Sequence, residues 1–547
     1  MNTVVNQKKN LVLLAVLLIA GCSGCASLIY QINWQRQLTT IFGLAHYATT
    51  LTILAFFVGF SLGAYLIKRF SHRLKNTLLL IACLEFVIGS YGIISFSGFE
   101  VLDNINGALS LTLVDSSTLL LSARAALCLL FLLLPTACMG ATVPCFLTAC
   151  IFADDERGER IGWITGANTL GALAGSVCTT WILMGLIHGQ DQMFIAAALN
   201  IVSAAMALIT YTVAAPAFNR KIAAPRLRSG SRPPKSNALT YAFMLSGAAS
   251  LGLQILWNRL AYISLEHTSF TFALVLSVFL SAYAAGAFCS SLWLRNRPAR
   301  RHTAALLQLA ALSCTLIGIL VFTNGLHYEQ LSRAIPYQLS AVAIISIYTF
   351  LPIFFIGCST PIILNLLSEG VTTLGHDTGR AMMMNNIGSI LAILIVGFIL
   401  IPVTNLYGVI LFCTLLLLGA VMLTAGTPKT KMQSQVIYPL GALCVAALLW
   451  LVPLDPYGAR YFSLYDEDPV WSAEDESGYW SVNEVSSQRG KMHYLYLNDM
   501  YENYLQSPAY GSIEGDFLLA TMIKPEIRTA YSIGLGLALE PYELLRF

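Results

Sequence analysis

From Leu11 to about Trp450 the chain alternates long apolar runs with short polar or basic stretches, and after Leu454 that rhythm gives way to short alternating segments. Runs of about 17 to 25 apolar residues cross a hydrocarbon core of roughly 30 Å as helices, and about thirteen such runs fit before the change. The last of them, Val436 to Val452, would carry the C-terminal segment to the other side of the membrane. Beyond it, "GYWSVNEV" (Gly478 to Val485) and "KMHYLYLND" (Lys491 to Asp499) alternate with period two and predict a small antiparallel β unit. "GDFLLATMI" (Gly515 to Ile523) predicts an amphipathic helix, and the strand-like Ala530 to Ile533 opens into Gly534-Leu535-Gly536-Leu537-Ala538.

The membrane part repeats itself. "SGCASLIYQINWQRQL" (Ser23 to Leu38) and "SGAASLGLQILWNRLA" (Ser246 to Ala261) agree at nine of sixteen positions at a constant offset (246 − 23 = 223). A slightly smaller offset (352 − 135 = 217) carries "PTACMGATVP" onto "PIFFIGCSTP", and Asn168 and Gly171 onto Asn385 and Gly388. The chain thus holds two copies of a unit of about six helices, the internal symmetry expected of transporter-like folds. The predicted plan is repeat 1 over 1–214, a basic linker over 215–236, repeat 2 over 237–425, and a loop with an extra helix over 426–453. An acidic β-rich segment then fills 454–525, and 526–547 holds the first strand and glycine turn of an incomplete Rossmann-like domain. The fold class is therefore an all-α polytopic membrane protein of two parallel repeats with a small β-rich soluble segment.

Composition agrees, with 56% apolar and 11% charged residues against roughly a quarter charged in a soluble domain. Basic clusters at Lys8-Lys9, Ile67 to Lys75, Asn219 to Lys235, Arg295 to Arg301 and Lys429/Lys431 all come after an even number of spans, which predicts cytoplasmic loops and a cytoplasmic N-terminus in a bacterial inner membrane. From Leu454 onward 15 acidic and 6 basic side chains leave the tail at −9, so the rest carries +12 of the total +3. The 13 cysteines show no metal or disulfide spacing; Cys22 and Cys25 form a CxxC inside an apolar helix, where packing is the expected role. "LIAGC" ending at Cys22 resembles a lipoprotein cleavage box, but its repeat mate continues as an uncut helix, which favours a retained span. Nothing in the composition points to nucleic acid, and the oligomeric state is left open; the lipid bilayer is the one certain partner.

Ionisable groups inside spans are functional candidates because they are costly there. Glu85 in the third span and Arg124 in the fourth form either a relay or cationic-solute site, or a structural ion pair. Gln31, Trp34 and Arg36, with their mates Gln254, Trp257 and Arg259, offer either a polar and aromatic patch to a solute or interfacial anchors. The two PxxxxGxxxP segments, with Asn168 and Asn385 downstream, mark either broken helices on a central path or packing kinks.

"SGCASLIYQINWQRQL", "PTACMGATVP", "GANTLGALAG" (Gly166 to Gly175), "GYWSVNEV" and "SIGLGLA" together carry a resemblance to membrane-fused spermidine synthase-like proteins. In that family a major facilitator-like membrane domain precedes a polyamine aminopropyltransferase-like domain. The resemblance covers nearly all of this chain but only the opening part of the family's soluble domain. It implies that Gly534 and Gly536 would let backbone approach an S-adenosyl donor, with Ala538 as a third small residue. The implied cofactor, decarboxylated S-adenosylmethionine, belongs to a full-length relative. None is expected to bind well here, because the strands bearing the ribose-binding acid and the amine-activating Asp are missing, Leu537 replaces a glycine or acid, and Thr521 replaces a histidine. Catalytic residues are therefore unassigned, and whether the chain is an enzyme stays open. Two readings result: a spermidine synthase-like membrane protein of polyamine metabolism with an incomplete catalytic domain, or a solute transporter or sensor for small cationic amines with an accessory tail.

Overall fold

In the computed structural model the described residues are 2–42, 45–71, 76–113, 116–152, 154–218, 237–265, 269–323, 337–426 and 433–456, and four strands between 471 and 504. The first repeat folds as α1 (Asn2–Phe42), α2 (Ala45–Phe70), α3 (Thr77–Thr112), α4 (Ser117–Cys150), α5 (Arg157–Val177) and α6 (Gly189–Phe218). The second folds as α7 (Asn237–Leu265), α8 (Ser269–Asn296), α9 (Arg301–Thr323), α10 (Tyr337–Leu367), α11 (Leu374–Ile395) and α12 (Leu406–Ala425). Among the described residues twelve helices are long and apolar enough to cross a membrane. A shorter apolar helix, α13 (Tyr438–Leu451), comes next, so the expectation of about thirteen full spans becomes twelve plus one short helix.

The two repeats share one packing plan. In the first, α1 packs on α5 and α6, α2 on α4, and α3 on α4 and α6; in the second, α7 packs on α11 and α12, α8 on α10, and α9 on α10 and α12. The halves meet chiefly along α5 with α8 and α2 with α11, two contacts related by the same exchange of halves. Lipid tails are as apolar as leucine, so such helices are held by close van der Waals approach rather than by water exclusion. Small residues make that approach possible. A Cβ on Gly171 of α5 would strike the Gly21 carbonyl of α1, and one on its mate Gly388 would strike the Met244 carbonyl of α7.

The PxxxxGxxxP segments do not break their helices. Pro135 and Pro144 lie inside α4, and Pro352 and Pro361 inside α10. A proline at 135 leaves the carbonyl four residues earlier without its helical partner, and the Tyr91 hydroxyl of α3 donates to that Phe131 oxygen. The glycines between the prolines serve packing: Gly140 seats against Phe60 backbone of α2, and Gly357 against Tyr283 backbone of α8. Both segments are thus helix-packing features, not exposed breaks along a path.

Helix α13 runs the length of α12. At its start, the Tyr438 hydroxyl donates to the Gly426 carbonyl just beyond α12. At its end, Asn405 Nδ2, just before α12, donates to the Leu454 carbonyl at 2.6 Å. The chain therefore returns to the end of the bundle remote from Lys68, Arg69 and Arg295. Beyond it, β1 (Trp471–Glu474), β2 (Tyr479–Ser487), β3 (Gly490–Leu497) and β4 (Met500–Tyr504) form an antiparallel sheet in the order β1-β2-β3-β4. Trp480 stands opposite Leu497, and the register slips between Leu495 and Tyr496. The linker 219–236, the expected helix Gly515 to Ile523, the strand from Ala530, and Gly534, Gly536 and Ala538 lie outside the described residues.

Candidate functional site

The most unusual group in the membrane part is Glu85, fully buried on α3 where α1, α4 and α6 converge. Asn200 Nδ2 of α6 donates to its Oε2 at 2.6 Å, and Ser23 of α1 lies beside it. Glu85 Oε1 accepts nothing, and the buried Tyr30 hydroxyl, Asn200 Oδ1 and Ser203 Oγ also make no hydrogen bond. Unpaired buried polar atoms are rare in proteins and each one calls for a cause. Further along α6, Asn33 of α1 donates to Gln192 Oε1 at 3.0 Å, so polar pairs tie α6 to α3 at one level and to α1 at another.

Arg124 is not the partner of Glu85. Its Nε donates to Asn106 Oδ1 at 2.9 Å, its Nη2 to Ser110 Oγ at 3.3 Å, and its guanidinium sits 5.6 Å from the Phe42 ring. Asn106 lies 21 residues beyond Glu85 on the same helix (106 − 85 = 21), about 30 Å at 1.5 Å per residue. Neighbouring helices made a pair conceivable; the length of α3 forbids it.

Trp34 and Trp257 are not interfacial anchors either, for both are fully buried. Trp34 stacks on Tyr30 with centroids 5.0 Å apart, meets Tyr91 edge-on at 6.2 Å, and donates to Ser95 Oγ at 3.2 Å. Trp257 stacks on Tyr348 at 5.5 Å, and its Nε1 has no acceptor. Each tryptophan packs inside its own half. Gln31 is half-buried and Arg36 exposed, whereas Gln254 and Arg259 are buried on α7. Asn385 Nδ2 donates to the Phe243 carbonyl at 2.8 Å and Gly247 packs on it, so it fastens α11 to α7. At the matching place the Asn168 carbonyl closes on Gly24 of α1.

Two features were not singled out as sites in the sequence. First, α5 widens into π turns at Cys178–Leu183 and α11 at Val396–Leu400, matching positions by the repeat, with Thr179 and Thr180 hydroxyls buried and unpaired beside the first. Such turns recur at functional sites. Second, the basic end carries a polar latch across the seam. Asp154 Oδ1 takes Arg157 at 3.2 Å and the Val371 amide at 3.1 Å, Arg157 Nε donates to Asn365 Oδ1 at 2.8 Å, and Ser291 Oγ donates to the Glu159 carbonyl at 2.8 Å. A cleft of about 650 Å³ opens beside it, lined by Asp154, Asp155, Arg157, Arg295, Arg297 and Arg301 among others. Deeper in the seam, Gly162 seats against Ala287 and Ser291 of α8, and its mate Gly379 against Ala64 and Lys68 of α2. Toward the far end Ser176 and Ser277 hydroxyls lie 3.3 Å apart, and Gly397 meets Thr50, so the seam is shut along both helix pairs. Among the described residues no group of histidine, cysteine or acidic side chains has the arrangement of a metal site.

This two-half geometry has counterparts among solved structures. A bacterial homologue of the iron transporter ferroportin, in an outward-facing state, matches with a TM-score of 0.51 at 12% identity over 76% of this chain and 98% of that one. The human organic anion transporter MFSD10 (TETRAN) matches at 0.48 and 13% over 81% and 99%. FucP, a transporter of the major facilitator superfamily in its outward conformation, matches at 0.46 and 14% over 75% and 97%. The first likeness shows fold alone: the membrane part shares the helical bundle of that protein, with twelve helices among the described residues long and apolar enough to cross a membrane. No protein-family profile matches the chain. No curated protein matches it either, and nothing found supports the spermidine synthase-like expectation.

Proposed function

We propose that the protein is a membrane transporter of the major facilitator type that carries a small solute by rocking its two six-helix halves, with small cationic amines as the solute class to test first. The observation that carries this is the packing plan of α1–α6 repeated in α7–α12, with the halves joined chiefly through α2 with α11 and α5 with α8. Glycine-seated contacts of this kind slide and part at little cost in buried polar groups. The amine class is supported by two buried Trp–Tyr stacks, ring faces that suit a cation. On this reading the basic loops mark the latch and the N-terminus as cytoplasmic, in a bacterial inner membrane, and α13 would carry the acidic tail to the opposite side.

Purified protein in liposomes is expected to take up labelled putrescine or spermidine above empty vesicles, and equal uptake by both would remove the amine assignment. Cross-linking cysteines placed at Ser176 and Ser277, whose hydroxyls lie 3.3 Å apart across the seam, is expected to arrest uptake of whatever solute is found; free transport by the cross-linked protein would overturn the rocking seam. A reporter joined after Leu454 is expected to be active only when it functions outside the cytoplasm, and cytoplasmic activity would reverse the placement of the tail.

A further inference from the structure

Glu85 has no charge partner. The groups that face it are Cys22, Ser23 and Tyr30 from α1, Cys138 from α4, and Asn200 and Ser203 from α6, and among the described residues no lysine, arginine or histidine is one of them. An uncompensated carboxylate in such surroundings is strongly disfavoured. A proton removes that cost and turns an oxygen into a donor. Acceptors for it stand unused on α6, at Asn200 Oδ1 and Ser203 Oγ.

A metal ion fits these groups less well. Sodium-like or calcium-like ions gather oxygen ligands, yet Asn200 presents its N–H group, not its oxygen, to the carboxylate. A purely structural network gives no reason for an acid here, since the matching place in the second half is served by an amide, Gln308, whose Nε2 is likewise unpaired. The second half supplies a control built into the chain. The repeat offset of 223 places Gln308 opposite Glu85 (308 − 85 = 223), fully buried on α9, with its Oε1 taken by the Thr424 hydroxyl of α12 at 2.8 Å. An amide there is neutral at every physiological pH.

We propose that Glu85, in the first half, is an exchangeable proton site whose loading and release are coupled to the rocking of the halves. In the loaded state a proton from water adds to the carboxylate and is held by the carboxyl group, with Asn200 still donating to the other oxygen. In the released state the proton returns to water on the opposite side. The coupling rests on the transport reading; the proton site itself does not.

The test uses full-length protein in lipid nanodiscs, followed by infrared difference spectra as pH is raised, with the proton as the probe. A carbonyl-stretch band of a protonated acid is expected to fade with rising pH, to be absent in Glu85→Gln, and to move to higher frequency in Asn200→Ala, which leaves the carboxyl but removes its donor. No band dependent on Glu85, a band unchanged across the whole pH range, or a band that sodium abolishes at constant pH would each overturn the proposal. In liposomes clamped at zero membrane potential, the steady amine ratio is expected to change up to about tenfold per unit of imposed pH difference. Glu85→Gln is expected to keep exchange of the amine and lose that dependence, and a variant that kept it would refute the coupling. If no amine moves, the transport reading fails, while the infrared band still decides whether the proton site exists.

Discussion

The two halves of this bundle agree where backbones touch and differ where side chains do chemistry. Gly171 and Gly388 seat against matching carbonyls, and Gly162 and Gly379 against matching residues of the opposite half. By contrast, Glu85 has a glutamine for its mate, and Trp34 bonds Ser95 while Trp257 bonds nothing through its Nε1. Arg157 anchors the latch, and its mate by the offset of 217 is Leu374 (374 − 157 = 217). Even the partners shift: Asn200 holds Glu85, but the offset of 217 from Asn200 gives Leu417, and Thr424 lies about two turns further along α12. Backbone approach tolerates almost no change, because a single Cβ forces helices apart. A side chain in a loosely filled polar cluster is free to be replaced once the bundle holds.

The agreement is tested hardest at the glycines. Gly171→Val and Gly388→Val are each expected to prevent recovery of monodisperse protein, since overpacking by smaller amounts already costs about 1–3 kcal/mol. Gly107→Ala and Gly185→Ala, where nothing lies within 4 Å of an added Cβ, are expected to leave the melting midpoint unchanged or raised. If either core valine variant behaves like these controls, the symmetry of the interfaces is broken as an explanation.

The polar difference comes next in size. Gln308→Ala strands the buried Thr424 hydroxyl and is expected to cost about 1–3 kcal/mol, whereas Glu85→Gln keeps an acceptor for Asn200 and is expected to cost less than about 1 kcal/mol. Unfolding midpoints in detergent measure both; equal losses would mean that the two positions are equivalent after all. A smaller contrast separates the tryptophans. Trp34→Phe gives up a hydrogen bond and Trp257→Phe does not, so the first is expected to be the more destabilising by about 1 kcal/mol. The smallest effect belongs to the latch. Asp154→Ala is expected to speed hydrogen exchange at the Val371 amide by a few fold, consistent with the modest worth of exposed charged contacts, and to leave the Glu369 amide, held by Asp377 Oδ2 at 2.8 Å, as it was.

Much of the bundle was legible in the chain because the bilayer demands it: spans must be long, apolar and helical, and a duplicated unit leaves matching phrases at a fixed offset. Asn168, Asn385, Trp34 and Trp257 were found as repeat pairs, yet what each touches was not, since a residue number along a helix fixes depth and face but not the neighbour on that face. Glu85 was visible as an acid inside a span. Its separation from Arg124 was not, because the length of α3 emerges only once Asn106 is seen holding the arginine.

By itself, then, the sequence determined a polytopic helical bundle of two parallel repeats with basic loops at one end, since hydropathy, charge and duplication are properties of the chain read in one dimension. Only the tertiary structure decided that the proline segments stay helical, because Tyr91 and the close approach of Gly140 come from other helices. It alone placed α13 alongside α12 from Gly426 to Asn405, through bonds between residues far apart in sequence. And it alone left Glu85 buried, singly bonded and without a cation, a circumstance set by what three neighbouring helices happen to present to one carboxyl group.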